Sequence, residues 1–131
     1  MRHRHKLTKL GRNTNQRQAL FRQLVNSLII HEKITTTIAK AKVLAGLMDK
    51  LMTQAKKDTL AARRQLLAFL SYKPAVHKLV DILAPRTKTR TSGFTKLVRV
   101  GTRRGDNAML AQIEFIDKEI KKEVKKPEVK K

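Results

Sequence analysis

The chain has 131 residues, with 31 Lys and Arg against 10 Asp and Glu, a formal net charge of +21 and no cysteine. A domain with that excess charge repels itself, so the composition points to a polyanionic partner, nucleic acid first, whose counterions are released on binding. A disulfide framework, a zinc ribbon and a thiol nucleophile are excluded, no apolar run reaches the roughly 18 to 20 residues a membrane helix needs, and the 40% apolar fraction suits one domain with one core.

The charge is blocked rather than spread. Residues 1–17 hold Arg2, Arg4, Lys6, Lys9, Arg12 and Arg17 with His3 and His5, and the first acid is Glu32. Residues 1–13 show no hydrophobic period, Gly11 interrupts them, and Leu7 and Leu10 cannot offset the entropy of ordering the segment. They read as an extended basic arm that takes its structure from a partner. An Arg-rich, acid-free start also suits an organelle transit peptide, but it lacks an amphipathic apolar face and is read as mature sequence.

From Asn15 the pattern turns helical, with Asn15 and Gln18 spaced as a capping pair. Leu20, Phe21, Leu24, Val25, Leu28 and Ile29 form a buried face, with Arg22, Gln23 and Asn26 on the other side. The β-branched stretch from Lys33 to Thr37 predicts a strand ending where Thr36 or Thr37 caps a second helix. That helix runs from Ile38 to about Lys57, with a stripe at Ile38, Ala41, Leu44 or Ala45, Met48, Leu51 or Met52, and Ala55. Lys50, Lys56 and Lys57, beside Asp49 and Asp58, read as a solvated face.

Asp58 and Thr59 cap a third helix from Leu60 to Leu70. Pro74 restarts the chain in a first-turn position, and Pro85 ends this fourth helix after Leu83. Arg86 to Gly93 reads as a loop with no core side chain. Two alternating segments, Phe94 to Val100 and Met109 to Ile116, form a hairpin around residues 101–107. Phe94, Val98 and Val100 are expected on one face of the first strand, and Met109, Ala111, Ile113 and Phe115 on one face of the second.

The resulting fold class is α+β, with four helices on a small three-stranded mixed sheet. Residues 1–13 form the extended basic arm, 14–117 the globular domain and 118–131 a flexible Lys/Glu-rich tail.

No catalytic constellation is visible. His3-x-His5 lacks the further ligands zinc needs, and residues 103–107 lack the spacing of a phosphate-cradling Walker loop. A hairpin turn in which Asp106 and Asn107 bond their own backbone, with Arg103 and Arg104 projecting from the tip, accounts for that segment. No cofactor, metal or small-molecule substrate is expected. With one Tyr, no Trp and four Phe spaced for the core, aromatic stacking on single strands is poorly supported. Backbone-dominated binding by an arm, a loop and a globular face fits folded RNA. A nonspecific DNA-compacting protein is the alternative, and an RNA-modifying enzyme would need converging groups that are absent.

Several blocks, in order and spacing, resemble the bacterial large-subunit ribosomal protein seventeen family. They are Met1-Arg2-His3-Arg4, Lys9-Leu10-Gly11-Arg12, Arg17-Gln18-Ala19, Ser27-Leu28-Ile29 with His31-Glu32, Ile34-Thr35-Thr36-Thr37 with Lys40-Ala41-Lys42, Ala84-Pro85-Arg86, Gly93-Phe94-Thr95-Lys96 and Gly105-Asp106-Asn107-Ala108. The sequence departs from the family pattern at Gln16, where a histidine usually precedes the arginine, and at Ser92, where a glycine usually precedes Gly93.

The resemblance implies a structural, non-catalytic protein bound to large-subunit ribosomal RNA beside neighbouring ribosomal proteins, near the nascent-peptide exit, in a bacterial or organellar ribosome. Charge and resemblance together nominate Arg2, His3, Arg4, Lys6, Lys9 and Arg12 as the arm that enters RNA, and Arg17 and Arg22 at the start of the first helix. Lys40 and Lys42 join them beside the threonine-capped helix. Arg86, Arg90, Lys96, Arg99, Arg103 and Arg104 are expected to form a second contact surface.

Overall fold

A computed structural model describes residues 9–117; Arg2, His3, Arg4 and Lys6 of the arm, and the tail from Lys118, lie outside the described residues. The elements are α1 (Thr14–His31), β1 (Lys33–Thr37), α2 (Ile38–Ala55), α3 (Leu60–Leu70), α4 (Lys73–His77), a π-helical stretch Lys78–Leu83, α5 (Ala84–Arg86), β2 (Thr95–Thr102) and β3 (Met109–Phe115). The run from α4 through α5 is one helical segment, so four helical bodies meet one sheet.

The end of the arm is a tight turn, not extended chain. Leu10 and Gly11 both take positive φ, 54° and 62°, and the Arg12 N–H closes on the Lys9 carbonyl at 3.2 Å. Two successive left-handed residues reverse the chain, which glycine permits at no steric cost. The turn delivers Asn13, not Asn15, to the N-cap of α1, where its Oδ1 accepts from the Gln16 N–H at 2.9 Å. Asn13/Gln16 and Asn15/Gln18 share one spacing, and the preceding turn selects the first. Thr37 does occupy the N-cap of α2, but its hydroxyl makes no cap bond. Thr59 caps α3 through the Ala62 N–H at 3.2 Å.

Pro85 does not end the fourth helix. The helix widens before it, and the Ala84 N–H reaches back five residues to the Leu79 carbonyl. Proline lacks an N–H and its ring crowds the carbonyl four residues back, so a wider turn accommodates it where a regular helix would break. Thr87, just beyond, is buried at 2% exposure. Its hydroxyl lies 3.3 Å from the Leu83 carbonyl and 3.2 Å from that of Ala84. The following loop therefore does contribute a core side chain.

The sheet is antiparallel throughout rather than mixed, in the order β1-β3-β2. β1 pairs with the second hairpin strand, so it never lies beside β2, whose direction it shares. One row across the sheet is Ile34–Ile113–Leu97, and the next on the other face is Lys33–Glu114–Lys96. Ile113 is fully buried, so Leu97 faces inward and Val98 and Val100 face away, 40% and 60% exposed. This reverses the expected face of the first hairpin strand. Phe94 is buried, but it precedes β2 and does not obey its period of two; the register with β3 decides. A bulge between Arg99 and Gly101 leaves Val100 unpaired.

The inner face packs chiefly on α2, whose buried residues Ala41, Leu44, Met48, Leu51, Met52 and Ala55 follow the expected stripe. On the other side of α1, Gln23 is exposed, but Asn26 meets α3: its amide donates to the Leu70 carbonyl at 3.3 Å. Arg22, one turn earlier, is half-buried. Its Nε and the Asn26 Oδ1 are both buried without partners among the described residues, a donor and an acceptor on side chains one helical turn apart.

Glu32 ties the layers together. It takes left-handed φ of 60° at the C-cap of α1, and its carbonyl accepts from Phe115 N–H at 3.2 Å. Its carboxylate meets Lys78 at 2.9 Å and Arg86 at 3.1 Å, and Lys78 also donates to the Ile30 carbonyl at 2.8 Å. Burial pushes the Glu32 carboxyl up from the usual 4.5, but Lys78 and then Arg86 outweigh it and hold it below. A carboxyl with a lowered folded pKa stabilises the fold fully above its unfolded value, and that contribution is lost as pH falls through the folded value. Glu32→Gln should cost roughly 1.5 to 3 kcal/mol at neutral pH, the range for a hydrogen bond to a charged group. The difference from the parent should shrink on acidification below the usual 4.5, read by urea unfolding at stepped pH. A pH-independent gap would refute the ionic account.

Candidate nucleic-acid interface

Every acidic side chain in the described range is engaged. Besides Glu32, Asp58 and Asp81 both hold Arg63 at 2.8 Å, and Asp81 also meets His77 at 3.4 Å. Asp106 pairs with Arg103 across the hairpin, and Asp117 pairs with Arg90 at 3.3 Å. Asp49 accepts from the Gly93 and Phe94 N–H groups at 3.3 and 3.1 Å, and Glu114 accepts from Gln112 at 3.3 Å. The few acids thus hold the fold together, while most cations point outward without an internal counter-charge.

Asp49 shows how much of the surface depends on this. Its two bonds fasten the entry to β2 onto α2, at a Gly93 whose φ of +67° suits glycine. Asp49→Ala should lower stability by about 1 to 3 kcal/mol, because it leaves partly buried donors unsatisfied. Amide exchange should speed up first at Gly93 and Phe94; unchanged protection there would show that the carboxylate does not anchor the loop.

The nominated cations fall into distinct groups. Lys9 is exposed, while Arg12 is half-buried and donates to the Leu10 carbonyl at 2.9 Å. Arg17 donates to the Arg12 carbonyl at 3.0 Å. These two arginines brace the turn that launches the arm and keep part of each guanidinium outside. Arg22 is half-buried, with its Nε shielded from solvent. Lys40 and Lys42 lie in the first turns of α2, half-exposed and exposed.

The row Thr37–Leu110–Gly101 crosses the sheet at the hairpin-tip end. The start of α2, with Lys40 and Lys42, therefore shares that end with Arg99, Arg103 and Arg104. The positive end of the α2 dipole, with no side-chain cap on Thr37, adds to the field there. Arg104 is exposed and has no ion pair among the described residues. Arg103 is committed to Asp106, whose carboxyl is held down to about 2 by the Arg103 guanidinium and then by the Ala108 N–H. Lys96 lies on the outer sheet face beside Glu114. Arg86 is only 16% exposed and serves Glu32, and Arg90 is shared with Asp117; both do structural duty first.

A further group surrounds Arg90, and of it sequence reasoning nominated Arg90 alone. Thr53, Lys56, Lys57, Lys88, Arg90 and Thr91 line an open cleft of about 470 Å³ where the loop after α5 folds back on the end of α2. Lys56 holds that loop by donating to the Arg90 carbonyl, with its ammonium 4.5 Å from the Phe94 ring centre. Lys57 and Lys88 are far apart in sequence, and no local pattern announces that they meet. The one available signal was the lack of any acid between Asp81 and Asp106.

Among the described residues no group of His, Asp and Glu is placed to hold a metal ion, and no helix is long and apolar enough to cross a membrane. The arrangement suits binding of an extended polyanion at several points.

The model of the family described as Ribosomal protein L17 matches residues 20–116. Three relatives described as large ribosomal subunit protein bL17 are similar over most of their length. That of Thermomicrobium roseum is 49% identical over 88% of this chain and 99% of its own. That of Hyphomonas neptunium is 46% identical over 91% and 85%, and that of Geobacter metallireducens is 43% identical over 96% and 71%.

Proposed function

The chain belongs to the ribosomal protein L17 family, and from that membership we propose how it acts as a structural, non-enzymatic constituent of the large ribosomal subunit in the bacterial cytoplasm. It binds folded large-subunit RNA and holds neighbouring segments together by neutralising their phosphates, close to the nascent-peptide exit and beside other large-subunit proteins. The basic arm of residues 1–13 enters the RNA through Arg2, His3, Arg4, Lys6, Lys9 and Arg12, with Arg17 at its base. The hairpin end of the sheet, with Lys40, Lys42, Arg99 and Arg104, makes a second contact.

The observation that carries this reading is the division of labour among charges. The described acids are consumed within the fold, so the cations outside lack counter-charge until RNA supplies it. A DNA-compacting role accounts for the charge alone and has no support from the relatives.

Sedimentation of a cell extract through a high-salt gradient, with the chain followed by mass spectrometry, tests the proposal. Cosedimentation with the large subunit is expected; release to the light fractions or recovery with DNA would overturn it.

A further inference from the structure

The cleft at the end of α2 is not accounted for by folding alone. Lys57 and Lys88 are exposed and neither ammonium meets a described carboxylate, although both line the same opening with Arg90, Thr53 and Thr91. Three local features oppose an anion there: the carbonyl end of α2, Asp117 on Arg90, and Asp58, which lines the neighbouring cleft with Lys56 and Lys88 but is itself paired with Arg63. Against Lys56, Lys57, Lys88 and Arg90, the helix end and Asp117 remove about one and a half charges and leave about two and a half, while Asp58 is offset by Arg63. The Thr53 hydroxyl is occupied, donating to the Asp49 carbonyl at 2.8 Å, whereas the Thr91 hydroxyl has no partner among the described residues and can donate to an oxygen anion. Open, cationic and edged by a hydroxyl donor, the cleft has the chemistry of a phosphodiester site.

We propose that the cleft formed by Lys57, Lys88, Arg90 and Thr91 holds a sugar-phosphate segment of RNA. This rests on the large-subunit RNA reading above, and adds a contact at the end of α2 opposite the one that bears Lys40 and Lys42. The helix of 18 residues separates the two by about 27 Å at the usual rise of 1.5 Å per residue.

The absence of cysteine makes the test clean, since one introduced thiol carries an iron–EDTA group to one place. The full chain bearing Ser92→Cys at the cleft or Thr8→Cys in the arm is assembled with large-subunit RNA and proteins, and hydroxyl-radical cuts in the RNA are mapped. Cuts are expected from position 92. Cuts from position 8 without any from 92 would overturn the cleft and leave the RNA reading intact, whereas no cuts from either position would sink that reading itself. A neighbouring protein cleaved at 92 in place of RNA would also overturn the cleft.

In parallel, Lys57→Gln with Lys88→Gln should lower the slope of log affinity against log salt by about two, one for each phosphate that the pair would otherwise neutralise. An unchanged slope would overturn the contact.

Discussion

Replacing Arg2, Arg4 and Lys6 together with alanine should weaken binding to large-subunit RNA roughly a hundred-fold at physiological salt, while leaving the thermal transition of the free protein in place. The size follows from counterion release. A slope near −0.9 per neutralised phosphate gives about 1 kcal/mol for each contact at 0.15 M salt, and three contacts give about 3 kcal/mol. The slope itself should become shallower by about three. Titration of RNA at several salt concentrations measures both. The transition is expected to survive because the core is closed by residues from α1 to β3 and takes nothing from the arm in the described range: the turn at Leu10–Gly11 and the Asn13 cap seal α1 before the arm begins. A variant with parental affinity would remove the arm from the interface. A variant that no longer unfolds cooperatively would refute the separation of arm from core.

Much of this fold was legible because its strongest signals are local. The stripe of α2, the β-branched strand before it and the Thr59 cap of α3 each depend on residues within a few positions of one another, and each stands where the pattern put it. What was misread depends on contacts the sequence does not print. Val98 and Leu97 are both acceptable on either face of a strand; only pairing with β3, which sets Leu97 against Ile113, decides between them. Pro85 breaks a regular helix, but the wide turn preceding it removes the conflict. The bond from Asn26 to the carbonyl of Leu70, 44 positions away, has no local sequence signal.

The interface divides along the same line. That the chain binds a polyanion is visible in the charge blocks. Which cations remain available is not, because availability depends on where each acid lands. Arg86, Arg90 and Arg103 are as basic as Arg104 in sequence, yet Glu32, Asp117 and Asp106 occupy them. The converse error is the dismissal of Lys57, whose significance comes from Lys88 across a fold-back that Asp49 and Lys56 maintain. A protein with so few carboxylates uses each to choose which cations face outward, so the acids are informative about a basic interface.

Ile113→Ala should be among the most damaging single substitutions in the sheet. Ile113 is fully buried at the centre of the central strand, flanked on its own face by Ile34 and Leu97. No single neighbour can collapse into the space, so the cost should lie in the range of about 2 to 5 kcal/mol for truncating a buried Ile to Ala. The reserve is small: a domain of this kind holds about 5 to 15 kcal/mol, and self-repulsion at high net charge reduces it. Each kilocalorie should lower Tm by about 4 to 8 °C. Salt and RNA should both recover part of the deficit, salt by screening repulsion and RNA by binding only the folded form. Val98→Ala is the decisive companion. On the outward face it should change stability by no more than about 0.5 kcal/mol, the range for surface substitutions. If β2 instead packed with Val98 inward, the order of the two would approach equality, and measured destabilisations of similar size would refute the register that pairs Leu97 with Ile113.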